Sequence, residues 1–361
     1  MPQHLLLIGG GHSHVAVLAD WARHGMPCDR ATLLTPYPTL RYSGTVPGWI
    51  AGQYARDFGL VNLAGLAKRA GVDMVLDRCE AIDPDARMVT TAGGESIAFE
   101  VASIDTGGVG LAHSVLGDDA RVIDIRPIDG FVTRLVALPA TARIAVVGGG
   151  AGGVELAFAL KSHVESLIFF AGKQGLLPDF SEPVRDAVAK ELARQGIECL
   201  AEDARIEGGE LKASDRSLEP VQAIIAALGS GAPEWPGAGG LATDAQGFIA
   251  VDRFQRSASH PHIFAAGDVA AREDCSVPHS GVHAVHTGPV LAANLRSVMR
   301  GEEPHRSYTP RPASLYLLST GRGEAIASYG PLAAKGRWAR QLKHWIDNRW
   351  LAQYAALVQG R

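Results

Sequence analysis

The stretch Leu5-Leu6-Leu7-Ile8-Gly9-Gly10-Gly11-His12-Ser13-His14-Val15 is matched 139 positions later by Ile144-Ala145-Val146-Val147-Gly148-Gly149-Gly150-Ala151-Gly152-Gly153-Val154. Each copy runs from an apolar segment through a glycine cluster into a helix-compatible apolar segment, the order that opens a dinucleotide-binding βαβ unit. The first glycine of such a unit allows the tight turn, and the second lets the backbone approach a pyrophosphate. The helix N-terminus then offers free N–H groups and a partial positive charge to that anion. One copy alone could be an ordinary glycine turn. Two in register, each directly after a strand pattern, predict phosphate-binding turns at Gly9 and Gly11 and at Gly148, Gly150 and Gly153.

The copies differ where chemistry would be read. The third glycine, which permits close helix–strand packing, is Gly153 in the second copy and His14 in the first. Position 14 must therefore splay the helix or put the imidazole to use. A second strand follows each motif, at Ala31–Thr35 and Leu167–Phe170, but neither ends in the carboxylate that usually binds a ribose hydroxyl. Residues 30–56 contain no acid, and none lies between Glu165 and Asp179. That leaves Thr35 for the first ribose. In the second copy Ala171 takes the acid's place with Lys173 nearby, which favours a 2′-phosphate or no nicotinamide at all.

Working outward, each half closes on another glycine-ended strand, Val101–Gly108 and Ala223–Ser230. A helix is predicted over Val184–Gln195 and a strand over Ile197–Leu200. The Gly- and Pro-rich segment 231–240 reads as a crossover, followed by Ile263–Ala270, an apolar strand ending in Gly267-Asp268. Composition agrees with a globular chain of two or three domains in 361 residues. The 42 glycines exceed the roughly 25 expected from average usage but have no three-residue period, which excludes collagen. A net charge of −4 leaves no general nucleic-acid footprint. Four scattered cysteines without a CxxC pair point to a reducing, cytoplasmic compartment. The N-terminus lacks the basic start of a signal peptide, and no apolar run is long enough to span a membrane.

The ordered set Gly9-Gly10-Gly11, Asp105-Thr106-Gly107, Gly148–Gly153, Ala266-Gly267-Asp268 and Gly281–Pro289 resembles the two-dinucleotide-domain flavoproteins of the pyridine nucleotide-disulfide oxidoreductase superfamily. Within it the chain is most similar to the type II NADH dehydrogenase-like branch, in particular the oxidoreductase domain fused to selenophosphate synthase. The Gly9–His14 start, the Tyr42–Gly48 loop and the Gly288–Leu295 helix carry that closer likeness. The resemblance implies an α/β fold with two Rossmann-like domains, the second inserted in the first. An FAD domain would cover 1–112 and 241–305, an NAD(P) domain 113–240, and a small C-terminal α+β region 306–361. FAD would lie on Gly9, Gly11, His12, Ser13, Thr35, Thr106, Gly107, Gly267, Asp268, Ser280 and Gly281. NAD(P)H would lie on Gly148, Gly150 and Gly153, with Glu155 where nicotinamide meets flavin. Disulfide reductases carry a Cys-x4-Cys pair in the loop filled here by Ser43–Gly48, so thiol–disulfide exchange is not expected.

Two further constellations compete with plain packing. Cys275, His279, His283 and His286, if helical, share one face. They would then be a metal set, proton donors to an acceptor (His283 and His286), or simply packed histidines, and no metal is assigned. The C-terminal segment combines Trp338, Leu342, Trp345, Ile346, Trp350, Tyr354, Leu357 and Val358 with six Lys/Arg against one acid in residues 331–361. It suits peripheral contact with the inner face of an anionic membrane, the chain's own core, or a homodimer interface. A hairpin is predicted around Gly321-Arg322-Gly323. The leading expectation is an FAD-dependent NAD(P)H oxidoreductase passing electrons to a quinone-like acceptor. The alternatives are sulfide:quinone-type chemistry at Cys275, or a flavin-binding redox sensor without nicotinamide turnover.

Overall fold

The computed structural model describes residues 3–311 and 313–360. Arg361, one of the six C-terminal cations, lies outside the described residues. Strands β1 (His4–Ile8), β2 (Arg30–Leu34), β3 (Asp73–Val75) and β4 (Val101–Ile104) pair in parallel in the order β4-β1-β2-β3. Strands β5 (Val122–Asp124), β6 (Arg143–Val147), β7 (Ser166–Phe170), β8 (Glu198–Leu200) and β9 (Ala223–Ala226) form a second parallel sheet, ordered β5-β9-β6-β7-β8. Strand β10 (Ile263–Ala265) then returns to the free edge of β4, with Phe264 opposite Ser103. The first sheet is thus completed by a strand that follows the whole second sheet in sequence.

The sequence repeat is a repeat of structure. Leu5 to Ile8 lie opposite Val101 to Ile104, and Ile144 to Val147 opposite Ala223 to Ala226, so each fingerprint strand is central in its sheet. Helices α1 (His12–His24) and α2 (Ala151–Leu160) begin at Gly11 and Gly150, both with φ −72° and ψ 177°. These strands read as continuous apolar runs because both sheet faces are covered.

His14 settles the departure in the first copy. A Cβ on Gly153 would overlap the carbonyl oxygen of Gly148, which explains the glycine there. The equivalent carbonyl, that of Gly9, is instead bonded by the fully buried His14 ring, Nδ1 at 2.6 Å, while Nε2 bonds Ser103 Oγ at 2.8 Å. Burial lowers the imidazole pKa to about 4, so the ring is neutral and donates from only one of its nitrogens. Close packing moves to the other side of α1, where α4 (Gly281–Met299) crosses it; a Cβ on Gly288 would stand 2.6 Å from that of Ala16. Between these in sequence, α3 (Glu182–Arg194) confirms the predicted helix to within two residues.

The predicted hairpin is present as β11 (Leu315–Ser319) and β12 (Ala325–Tyr329), with a third strand, β13 (Leu332–Gly336), that the apolar pattern did not reveal. Also unforeseen are two antiparallel three-stranded sheets within 79–98 and 204–217, one in each crossover to the glycine-ended strand. The final helix, α5 (Arg337–Val358), divides its tryptophans: Trp350 and Tyr354 join the core of the first sheet, whereas Trp338 and Trp345 are 51% and 58% exposed. Cys199 is exposed on the edge strand β8.

Replacing His14 with Ala leaves Gly9 O and Ser103 Oγ without their buried partner and opens a void. Urea unfolding is expected to show a loss of about 3 kcal/mol. A loss under about 0.5 kcal/mol would mean the imidazole is not a structural bridge.

Candidate functional site

The tight turn at Gly9 (φ +93°) brings the chain so close to β4 that a Cβ there would overlap the Asp105 carbonyl. From this turn a cavity of about 770 Å³ extends along Gly9–His12, Thr35, Asp105–Gly107, Arg126, Asp268 and Gly281 to Glu155, Gly152 and Leu156. It opens on the first fingerprint and ends against the first turn of α2, the helix of the second. One elongated ligand would therefore run from one phosphate turn to the neighbourhood of the other.

Beneath the first turn lies the carboxylate of Asp105, a member of the ordered motif set to which sequence reasoning assigned no role. Asp105 Oδ2 accepts the His14 backbone N–H at 2.9 Å, and a Cβ on Gly11 would overlap the same carboxylate. Burial pushes Asp105 up to about 7; the helix N–H groups of His14 and Ser13 oppose this and nearby Asp268 adds to it. A carboxyl raised this far is partly protonated at neutral pH and repels an anion over the same turn less than an ordinary aspartate would. The available signal was an acid closing an otherwise apolar strand directly before Thr106-Gly107.

The long wall of the cavity carries donors. Arg126 Nη2 donates to Asp268 Oδ2 at 2.8 Å, and its buried Nε has no hydrogen-bond partner among the described residues. Buried His12 Nε2 is equally unpartnered, and burial lowers that ring to about 4. Thr35 is buried and lines the cavity. Glycine-made space, an acidic group at a strand end and spare donors along one wall fit a ligand of phosphates and hydroxyls. Ser13 lies just behind, donating to Ala284 O at 2.9 Å, while Gly267 and Ser280 face a smaller void of about 30 Å³.

At the far end Glu155 Oε1 accepts the Ser319 N–H at 2.8 Å and lies 3.8 Å from Lys343 Nζ on α5. Burial disfavours the Lys343 charge, but Glu155 and Asp347 outweigh it and raise its pKa. Asp347, 3% exposed, is itself raised by burial, and the nearby Tyr42 hydroxyl and Lys343 oppose that rise. Tyr42 stacks on Trp350 at 4.6 Å, with His12 edge-on at 5.6 Å, which ties this cluster to the first turn. Lys343, Asp347 and Tyr42 escaped sequence reasoning because they come from two distant segments.

Gly148 (φ +126°), Gly150 and Gly153 shape the second turn, outside this cavity. The histidine set does not assemble. Helix α4 starts only at Gly281, after Pro278, so Cys275 and His279 are not on it. His279 packs on Phe248 at 4.0 Å, His283 bonds Tyr308 Oη at 2.6 Å, and His286 is exposed. Neither His283 nor His286 lines the main cavity, and no three His, Cys, Asp or Glu side chains gather as a metal site among the described residues.

Residues 3–289 match the model of the family described as pyridine nucleotide-disulphide oxidoreductase. The chain belongs to that family. It is 26% identical over 288 residues to the NADH dehydrogenase-like protein YutJ of Bacillus subtilis, covering 76% of this chain and 78% of the relative. In fold it is similar to the sulfide:quinone oxidoreductase of Aquifex aeolicus, with a TM-score of 0.77 at 20% identity over 98% of this chain and 92% of that one. It is also similar to NDH2 of Plasmodium falciparum, solved in complex with NADH, with a TM-score of 0.79 at 13% identity over 99% and 96%. The family is one of NAD(P)H-dependent flavoprotein oxidoreductases that use FAD.

Asp105 carries a pH signature. Its folded value near 7 against 3.8 unfolded means that its contribution to stability is full below about pH 4 and is lost as pH rises through 7. Asp105→Asn abolishes that loss, so the variant should gain on the wild type by up to about 4 kcal/mol between pH 4 and 7, and no further above it, in denaturation curves. Curves that stay parallel would show the carboxylate is charged and paid for elsewhere.

Proposed function

We propose that the main cavity seats FAD over the 1–112 and 241–305 portions of the chain, and that the Gly148–Gly153 turn of 113–240 seats NAD(P)H. Electrons would leave to a quinone-like acceptor. The observation that carries this reading is the continuity of the cavity from the first fingerprint to the first turn of the second fingerprint's helix. FAD, when bound, supplies the hydride-accepting ring and releases electrons onward. The protein's part is to hold and orient. Gly9 and Gly11 clear space for the pyrophosphate, Arg126 and His12 offer donors, and Asp268 accepts from sugar-like hydroxyls.

Glu155, Lys343, Asp347 and Tyr42 supply protons at the other end. A quinone-like acceptor takes up two protons with its two electrons, and such a group must be fed from the protein once water is excluded. The Asp347 carboxyl, raised by burial, holds a transferable proton beside the cavity wall, and the half-buried Lys343 ammonium, kept charged by Glu155 and Asp347, positions it. The exposed Trp338 and Trp345, the latter under Arg349 at 5.6 Å, offer an apolar and cationic surface for a membrane holding such an acceptor. No helix among the described residues is long and apolar enough to cross one.

Anaerobic mixing with NADH or NADPH, following the yellow flavin band, tests the first step. Bleaching with at least one is expected, and none with either would defeat the proposal in favour of a binding protein. For the second step, Lys343→Met should lower steady-state quinone reduction about 10- to 100-fold, and more than it slows bleaching. Equal losses in both would remove Lys343 from proton supply. Vesicles of anionic lipid should pull down the wild type but not a variant with both Trp338 and Trp345 changed to Ser.

A further inference from the structure

The second nucleotide turn lacks its ribose acid in sequence, yet the fold brings one to it from another strand. The Ala171 N–H donates to Leu200 O at 2.8 Å, so β8 runs beside β7 to its end and delivers residues 201–203 to the same edge. There Asp203 Oδ1 accepts the Lys173 N–H at 3.0 Å, and Oδ2 lies 3.5 Å from Lys173 Nζ. A Cβ on Gly172 (φ +76°) would stand 3.3 Å from the same Oδ1. The carboxylate thus sits one residue beyond buried Ala171, where an ordinary fingerprint would project its own acid.

The segment carrying it is pressed onto the phosphate turn. The Leu177 N–H donates to Gly149 O at 2.8 Å, and a Cβ on Gly149 would overlap the carbonyls of Ala171 and Gly175. Loop 171–177 and the turn therefore form one wall, with Asp203 at its open end and about half exposed.

We infer that Asp203 replaces the missing ribose carboxylate and selects a nucleotide with a free 2′-hydroxyl, making NADH rather than NADPH the reductant. A carboxylate accepts hydrogen bonds from the hydroxyl pair and repels a 2′-phosphate. Lys173, the cation that read as a phosphate anchor in the sequence, already faces this carboxylate and adds no uncompensated positive charge. This selectivity rests on the reading that the Gly148–Gly153 turn holds the nicotinamide nucleotide.

The test is equilibrium titration of the FAD-loaded protein with NAD⁺ and NADP⁺, which needs no turnover. Wild type should bind NAD⁺ about 10-fold or more tighter than NADP⁺. Asp203→Asn keeps the acceptor for the Lys173 N–H but loses the charge, and should shrink that ratio about 10-fold. A purely structural role would weaken both nucleotides together and leave the ratio unmoved. Lys173→Ala should not weaken NADP⁺, whereas a phosphate anchor would. Equal or tighter NADP⁺ binding by the wild type, or an unmoved ratio in Asp203→Asn, overturns the inference. Binding of neither nucleotide overturns the reading of the turn, and the inference with it.

Discussion

Two backbone contacts too close for any side chain organise this molecule. At Gly9 the chain touches the carbonyl of Asp105, and at Gly148 that of Ala227; both glycines have positive φ. Any larger residue there would strain the turn and push the central strand from its neighbour. Because each turn ends a buried strand and starts a helix, these contacts aim both helix N-termini at the ligand-binding edge of their sheets. The cavity, its donors and the meeting of the two halves all follow from that aim.

Sequence reasoning captured what is local and periodic. The two glycine turns, the buried parallel strands, α3 and the β11–β12 hairpin follow from patterns within a dozen residues. The acid-free stretches after β2 and β7 were read correctly as sequence, but the chemistry at the second ribose edge could not be. Asp203 reaches Lys173 across a strand pairing that a linear pattern does not contain. The same holds for Lys343 and Asp347, whose partners Glu155 and Tyr42 lie some 190 and 300 residues earlier. The histidine spacing misled for the opposite reason. It assumed a helix from 275 onward, and Pro278 delays that helix until Gly281.

The electrostatic character of the site differs between its ends. Around the first turn burial drives three groups toward neutrality, His12 and His14 downward and Asp105 upward, while Arg126 and Asp268 pair with each other. That leaves Arg126 and the helix dipole as the positive features facing a phosphate. At the far end the half-buried Lys343 ammonium keeps its charge through Glu155 at 3.8 Å and the nearby Asp347. A binding end without spare charge and a second end with a movable proton suit a protein whose bound cofactor does the redox chemistry.

The central claim is that the two look-alike turns hold different cofactors, and a paired substitution tests it most directly. Flavin content and nicotinamide affinity would be measured in Gly11→Ala, whose Cβ meets the Asp105 carboxylate, and in Gly149→Ala, whose Cβ meets Ala171 and Gly175. Gly11→Ala should lose FAD, and Gly149→Ala should keep FAD while losing nicotinamide binding. Flavin retained in the first variant, or lost in the second, would contradict it.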